Sequence, residues 1–360
     1  IPRIDFSDDA NGALLLEPQR SNRVTYSEDL TQWTDYNASA VLSNETIYGK
    51  NAYKIVEDST VNYHGIYLTN LFTADGTNYI WSVYVKGAER RYVVLTGRTG
   101  ISSNDSALIF DTQDGVWVLD SSAQNQALSA ESVGNGWWRI SMEGSPTSGA
   151  YDGYTIAASL GGSTYTDANY QGDGTSGIYV AMAQTEQGSY ATSYIKTVGT
   201  AQTRVADTAT GSGSSTVINS TEGVLYAEIK ANAINTTDRR LSISNGSESD
   251  RVFLYYAPTG NFIQAIIVSG GITQVQQTLT SASQTDLIKV AISYKENETK
   301  VFLNGLQVGT TDTSCVMPIG LNNLGFDSGD GTEVFYGSIK DLRVYTTALT
   351  DAELTTLTTI

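Results

Sequence analysis

One histidine, one cysteine and five prolines in 360 residues leave this chain short of the side chains from which many active sites are made. His64 is the only imidazole, which excludes zinc sites built from two or three histidines and any HExxH helix. A Ser–His–Asp or Cys–His arrangement has only His64 to use, and Cys315 lies far from it in sequence. A lone cysteine forms no internal disulfide, so burial of apolar surface must hold the fold. Scarce proline excludes collagen-like and Pro-rich linker architectures. The chain has no G-x-S-x-G, no P-loop and no dinucleotide fingerprint in a βαβ setting. Charged residues are only 16%, below the roughly 25% of an average globular chain.

The charge that exists is mostly of one sign. The net charge is −17. Twelve basic and 22 acidic residues fall in 1–204, and 9 and 16 in 205–360, so there is no acidic tail. A field of this sign repels phosphate and excludes nucleic acid as the expected partner. The longest apolar runs, such as Ala13–Leu16 and Ala265–Val268, fall far short of the roughly 20 residues needed to span a bilayer, so no membrane insertion is expected. No signal peptide is legible and the chain opens on Ile1, which reads as a piece, or a processed form, of a longer protein.

Tyrosine (22) and glycine (34) are abundant, with much Ser, Thr and Asn. The pattern is β throughout: short alternating runs between Gly, Asn, Asp and Ser clusters, with little helical periodicity. Strands are expected at 78–86, 91–96, 107–111, 116–119, 137–142, 154–159 and 178–183. Residues 198–218 lose the apolar pattern, and the Ser/Gly/Thr text of Thr208–Thr216 reads as a flexible linker. The expected division is therefore 1–200, a linker at 201–218, and 219–360. In the second part strands are expected at 223–231, 251–257, 261–268 and 287–294, the last with Ile288, Val290, Ile292 and Tyr294 on one face. Asn304-Gly305 between apolar runs is a type I′ hairpin signal. Residues 334–345 read as a closing strand. Thr350 and Glu353 form a capping box for a short helix over 350–358, with Leu354 and Leu357 facing inward. The expected fold is all-β: two successive sandwiches.

The text Lys300-Val-Phe-Leu-Asn-Gly-Leu-Gln-Val-Gly309, then Gly337-Ser-Ile-Lys-Asp-Leu-Arg-Val-Tyr345 and Thr347-Ala-Leu-Thr-Asp-Ala-Glu-Leu354, resembles the hairpin, closing strand and terminal turn of laminin-G-like, concanavalin-A-type sandwiches. That resemblance implies the fold over 219–360, a fold that serves lectins, adhesins and enzymes alike. The first half resembles a jelly-roll module of bacteriophage tail and head fibres, itself similar to carbohydrate-binding modules. The matching text is Leu14-Leu-Leu-Glu-Pro-Gln-Arg-Ser-Asn22, Tyr26-Ser-Glu-Asp-Leu-Thr-Gln-Trp33, Gly172-Asp-Gly-Thr-Ser-Gly-Ile-Tyr-Val180 and Ala183–Ile195. The two resemblances imply a non-catalytic protein that recognises a polysaccharide or cell-surface glycan. It would sit on a virion surface or outside the cell, alongside other virion proteins or as a homo-oligomer. The alternative is the polysaccharide-binding region of a secreted bacterial enzyme. A third reading is a polysaccharide lyase or glycoside hydrolase.

Catalysis has thin material. Retaining glucanases of the concanavalin-A shape need Glu-x-Asp-x-x-Glu on one strand, and the nearest text, Glu248-Ser-Asp250, has Phe253 in third place. A lyase would need Tyr with His and Arg, and only Tyr63, His64, Tyr67, Arg90 and Arg91 supply those types. Of these, His64, Tyr63 and Arg91 are the catalytic candidates. For ligand binding, Tyr151, Tyr154, Tyr165 and Tyr170 crowd a Gly/Ser/Asp-rich stretch over 144–177. Trp137 and Trp138 point to opposite faces of one strand, which makes Trp137 a fifth candidate, whereas Trp81 and Trp33 read as core. Both resemblances allow a structural Ca²⁺. The loop Asp327-Ser-Gly-Asp-Gly-Thr-Glu333, with Asp327, Asp330 and Glu333, is the expected site, and Asp173 is a weaker one.

Overall fold

The computed structural model describes residues 3–6, 10–72, 75–97, 107–119, 127–145, 153–162, 165–209, 211–234 and 237–360. It is nearly all β, with one α-helix, Asp351–Thr358, among the described residues. The chain forms two compact units: one from residues 1–18 with 206–360, the other from 19–205.

The unit containing the C-terminus is a two-sheet sandwich. Its seven-stranded sheet runs in the order Arg3–Asp5, Ala13–Leu16, Gly337–Tyr345, Glu222–Ala231, Ile288–Lys295, Thr299–Leu303, Leu306–Asp312. Its five-stranded sheet runs Ile272–Thr278, Ile263–Ser269, Arg251–Tyr256, Arg239–Ser244, Asn323–Gly325. Alternation sends Ile288, Val290, Ile292 and Tyr294 into the same core as Leu241, Ile243, Val252, Leu254 and Tyr256 of the facing sheet. The hairpin at Asn304-Gly305 has φ of 50° and 85°, the left-handed pair that a type I′ turn requires. Thr350 caps the helix, and its hydroxyl and Glu353 complete the reciprocal capping box. Leu354 is buried against Val224, Tyr226, Ala291 and Phe302, so the helix covers the outer side of the seven-stranded sheet.

Two features depart from the expected division. Residues 1–18, expected in the first sandwich, supply two strands to the other one: Leu14 pairs with Ile339, and Leu16 is buried in the core shared by Leu225 and Val290. The free edge of the long closing strand accepts this short apolar segment, an edge otherwise left unpaired. The expected linker is also part of this unit. Ile218 is buried, Ser212 and Leu324 exchange backbone hydrogen bonds of 3.2 and 2.6 Å, and Phe326 N donates to Ala209 O. Backbone pairing leaves no trace in composition, which is why this Ser/Gly/Thr text reads as free chain.

The unit over 19–205 is a second sandwich of two six-stranded antiparallel sheets. One contains Thr34–Tyr36, His64–Leu68, Tyr92–Gly97, Ala107–Asp111, Val116–Leu119 and Tyr154–Ser159. The other contains Ala38–Ile47, Lys50–Glu57, Tyr79–Gly87, Leu128–Gly134, Trp137–Gly144 and Gly177–Gln187. Successive strands pass repeatedly from sheet to sheet, as in a jelly roll. Trp81, Phe110, Ile140 and Ile156 fill the core, and Trp33 joins it.

Candidate functional site

In the 19–205 unit the expected catalytic residues are structural. His64 has no solvent exposure. Its Nδ1 lies 2.7 Å from Asn37 O, and its Nε2 3.2 Å from Tyr170 O. A Cβ on Gly172 would lie 2.0 Å from Asp58 O and 2.9 Å from the His64 ring, so only glycine fits beside it. Tyr63 is half-buried against Val94, Ile109, Ala157 and Ala168. Arg91 is ion-paired with Asp111 and Asp114, away from any open imidazole. The His64 ring is thus enclosed, and Arg91 is committed to two carboxylates.

Arg90 and Tyr170, both singled out in the sequence, do meet, but around a carboxylate that was not. Glu57 has no side-chain exposure and is bound by Arg90, by Tyr170 Oη at 2.6 Å and by the Asp173 amide at 2.8 Å. Burial pushes the Glu57 carboxyl up, but Arg90, Tyr170 and the Asp173 amide outweigh it and hold it below the usual range. Asp173 also accepts from Thr175 and Ser176, and its second oxygen lies 3.2 Å from Arg90. The hydroxyl and amide of Ser176, with those of Thr175, hold it far below the ordinary carboxylate range. Arg90, Thr175 and Ser176 thus partner Asp173, whose side chain is half-exposed.

Of the four tyrosines expected to bind ligand, Tyr154 and Tyr170 are buried in separate surroundings. Tyr151 lies outside the described residues, and the Tyr165 side chain does too. Tyr154 is core, stacked on Trp81 with ring centroids 4.5 Å apart, because its strand alternates inward there. Tyr170 is buried in the Glu57 network. Trp137 faces away from the main core as expected, yet only 2% of it is exposed. It packs with Ala52, Tyr84 and Met182, and the chain after residue 187 returns over this face, where Thr192 O accepts from Arg139 and Gln184.

The expected metal loop is likewise held by protein partners. Asp327 is buried and accepts from the Gly329 amide at 2.7 Å. Asp330 accepts from Ser328 Oγ, Thr332 N and Thr332 Oγ1, and the Ser328 hydroxyl and Thr332 pull its carboxyl down to about 2. Glu333 is ion-paired with Arg240 from across the sheet, a cation invisible in the loop's own sequence. Among the described residues no three His, Cys, Asp or Glu side chains converge as metal ligands.

That arginine leads to the outer face of the five-stranded sheet, where Ser242, Ser244, Arg251, Phe253, Ile266 and Val268 are buried, Arg240, Tyr255, Gln264 and Thr278 are half-buried, and Thr273 and Gln276 are exposed. Its register forms a grid. Ser244, Arg251, Val268 and Thr273 make one row; Ser242, Phe253, Ile266 and Gln276 the next; Arg240, Tyr255, Gln264 and Thr278 the third. The Arg251 guanidinium lies 4.3 Å over the Phe253 ring, and Arg240 sits 5.5 Å from Phe253 and 5.3 Å from Tyr255. Glu248 Oε1 accepts from both arginines at 2.9 Å, and Tyr255 Oη donates to Asp238 at 3.2 Å. Gln276 donates to Gln264, which donates to Thr278 Oγ1. Burial pushes the Glu248 carboxyl up, but Arg251 and Arg240 outweigh it and leave it below the usual range. No strand position in these rows carries Asp or Glu, and the acids stand at the rim. A retaining or inverting hydrolase needs one carboxyl raised to act as an acid, and the rim acids Glu248 and Asp330 are both lowered. Period-two alternation in Arg239–Ser244 and Arg251–Tyr256 is the signal by which sequence reasoning could have found this face. The aromatic-rich first half drew attention away from it.

Known proteins resemble parts of this chain. The sequence model described as the Concanavalin A-like lectin/glucanases superfamily matches residues 212–355. No curated protein matches the chain. Among solved structures, the Ruminococcus gnavus IT-sialidase CBM40 is 21% identical, covers 42% of this chain and 95% of its own, with a TM-score of 0.35. Mouse laminin α1 chain domains LG4-5 are 11% identical over 84% of this chain and 92% of theirs, with a TM-score of 0.27. A Trypanosoma rangeli sialidase in complex with sialic acid is 10% identical over 89% of this chain and 62% of its own, with a TM-score of 0.31. Residues 212–355 thus match a model of the concanavalin A-like lectin/glucanases superfamily, and strands from residues 3–16 join the same seven-stranded sheet.

Proposed function

We propose that this protein binds carbohydrate without cleaving it, through the outer face of the five-stranded sheet. The observation that carries the reading is the grid itself. Tyr255 supplies ring surface, and Gln264, Gln276, Thr278 and Arg240 supply donors and acceptors, on a domain matching a lectin-type family; Phe253 and Arg251 are buried and support them. Sugars ask for that combination: apolar ring faces edged by paired hydroxyls. The absence of carboxylates from the described strand positions of this face supports binding over hydrolysis. An extracellular or virion-surface setting, with a polysaccharide or cell-surface glycan as partner, belongs to the same proposal. It rests on the resemblance of residues 14–33 and 172–195 to fibre modules. The test is a glycan array followed by titration of the full chain and of Tyr255→Ala. Binding that falls about tenfold or more in the variant, with no new reducing ends or unsaturated uronic acid, is the expected result. Cleavage products from the purified protein would refute it.

A further inference from the structure

Resting on that reading of the face, we propose that its ligand is an uncharged saccharide and that sugars carrying carboxylate or sulfate are excluded. Two arginines on a binding face ordinarily invite an anion, but an anion is gripped by a guanidinium fork with two parallel N–H groups free. Both guanidiniums already have protein partners at Nη1, and the Nε of each is buried without one. Arg240 gives Nη1 to Glu248 and Glu333, and its Nη2 lies 3.6 Å from Asp238. Arg251 gives Nη1 to Glu248 at 2.9 Å and to Ser328 O at 2.6 Å. Both guanidiniums are also laid against Phe253, with each Nε buried.

The local charge points the same way. Asp238, Glu248, Asp330 and Glu333 surround two guanidiniums, so the named groups leave a negative excess. Glu248 and Asp330 are held ionised at neutral pH. An incoming carboxylate meets a net repulsive field in a partly desolvated setting, where like charges cost most. What the face does offer is neutral. Gln264, Gln276 and Thr278 form a chain of amides and a hydroxyl. These groups match hydroxyls, which both donate and accept.

The experiment titrates the full chain with matched pairs of oligosaccharides, lactose against sialyllactose and cello-oligosaccharides against oligouronates of the same length. The neutral partner is expected to bind at least about tenfold more tightly than the acidic one, a gap that narrows with added salt. It should also narrow in Glu248→Gln/Asp330→Asn, two exposed positions whose replacement leaves the core untouched. Equal or tighter binding of an acidic partner, lost in Tyr255→Ala, overturns the exclusion while glycan binding at the face stands. A gap unchanged in the double variant overturns the electrostatic cause. Binding of no saccharide at any concentration overturns the parent reading, and this one with it.

Discussion

Glu57 shows how much a single residue carries when its surroundings are closed. Its carboxylate has no exposure and takes hydrogen bonds from Arg90, Tyr170 and the Asp173 amide. Glu57→Ala strands the Arg90 guanidinium among groups arranged for a carboxylate and is expected to cost about 3 kcal/mol or more, measured by denaturant unfolding of the full chain. Because the folded carboxyl titrates below its unfolded value of about 4.3, its stabilisation is present above that pH. It is lost as pH falls through the lower folded value. Acid titration of the wild type should therefore destabilise the 19–205 unit below about pH 4.3, with a shallower slope in Glu57→Gln. A slope unchanged in that variant would remove Glu57 from the account. Sequence reading singled out Arg90 and His64 among the lyase-type residues and Tyr170, separately, as a ligand-binding candidate. It could not find Glu57, because nothing in the strand text Lys50–Glu57 marks one acid as buried. Nor could it see Arg240 reach Glu333, since that partnership depends on pairing between segments about ninety residues apart.

At the scale of elements, strands and caps with strong local signals stand where the pattern puts them. The strands at 107–111, 116–119 and 154–159 keep their bounds, and the Thr350 capping box is present. Thr350→Ala should cost about 1 kcal/mol through loss of that cap. Elements with weak signals were the ones displaced. Ala13–Leu16 is legible as a short strand but not as a guest in the other sandwich, because four apolar residues do not name the edge they join. Ile218, beside an exposed Val217 in otherwise polar text, anchors the crossing segment. Leu16→Ala and Ile218→Ala are each expected to cost about 2–5 kcal/mol, confined to the transition of the unit that contains the C-terminus. Calorimetry of the full chain reads this directly. A shift in the other unit's transition instead would contradict the assignment of residues 1–18.

For the molecule as a whole, the all-β class and the two sandwiches were legible from alternation and turn text. The discontinuous first unit and the binding face were not. The nine grid positions from Arg240 to Val268 fall three to each of the strands Arg239–Ser244, Arg251–Tyr256 and Ile263–Ser269, and only the last two of these strands were expected from the sequence. A chain begun at residue 212, where the family match starts, lacks the strand pair at 3–16 and should be markedly less stable than the intact unit. The central claim is that a glycan rests on the outer face of the five-stranded sheet. Amide chemical-shift mapping of the full chain with a neutral oligosaccharide chosen from an array tests it most directly. Shifts confined to residues around Arg240, Ser242, Arg251, Phe253, Tyr255, Gln264 and Gln276, and abolished in Tyr255→Ala, are predicted. Saturable shifts clustered elsewhere, with these amides unmoved, would contradict it.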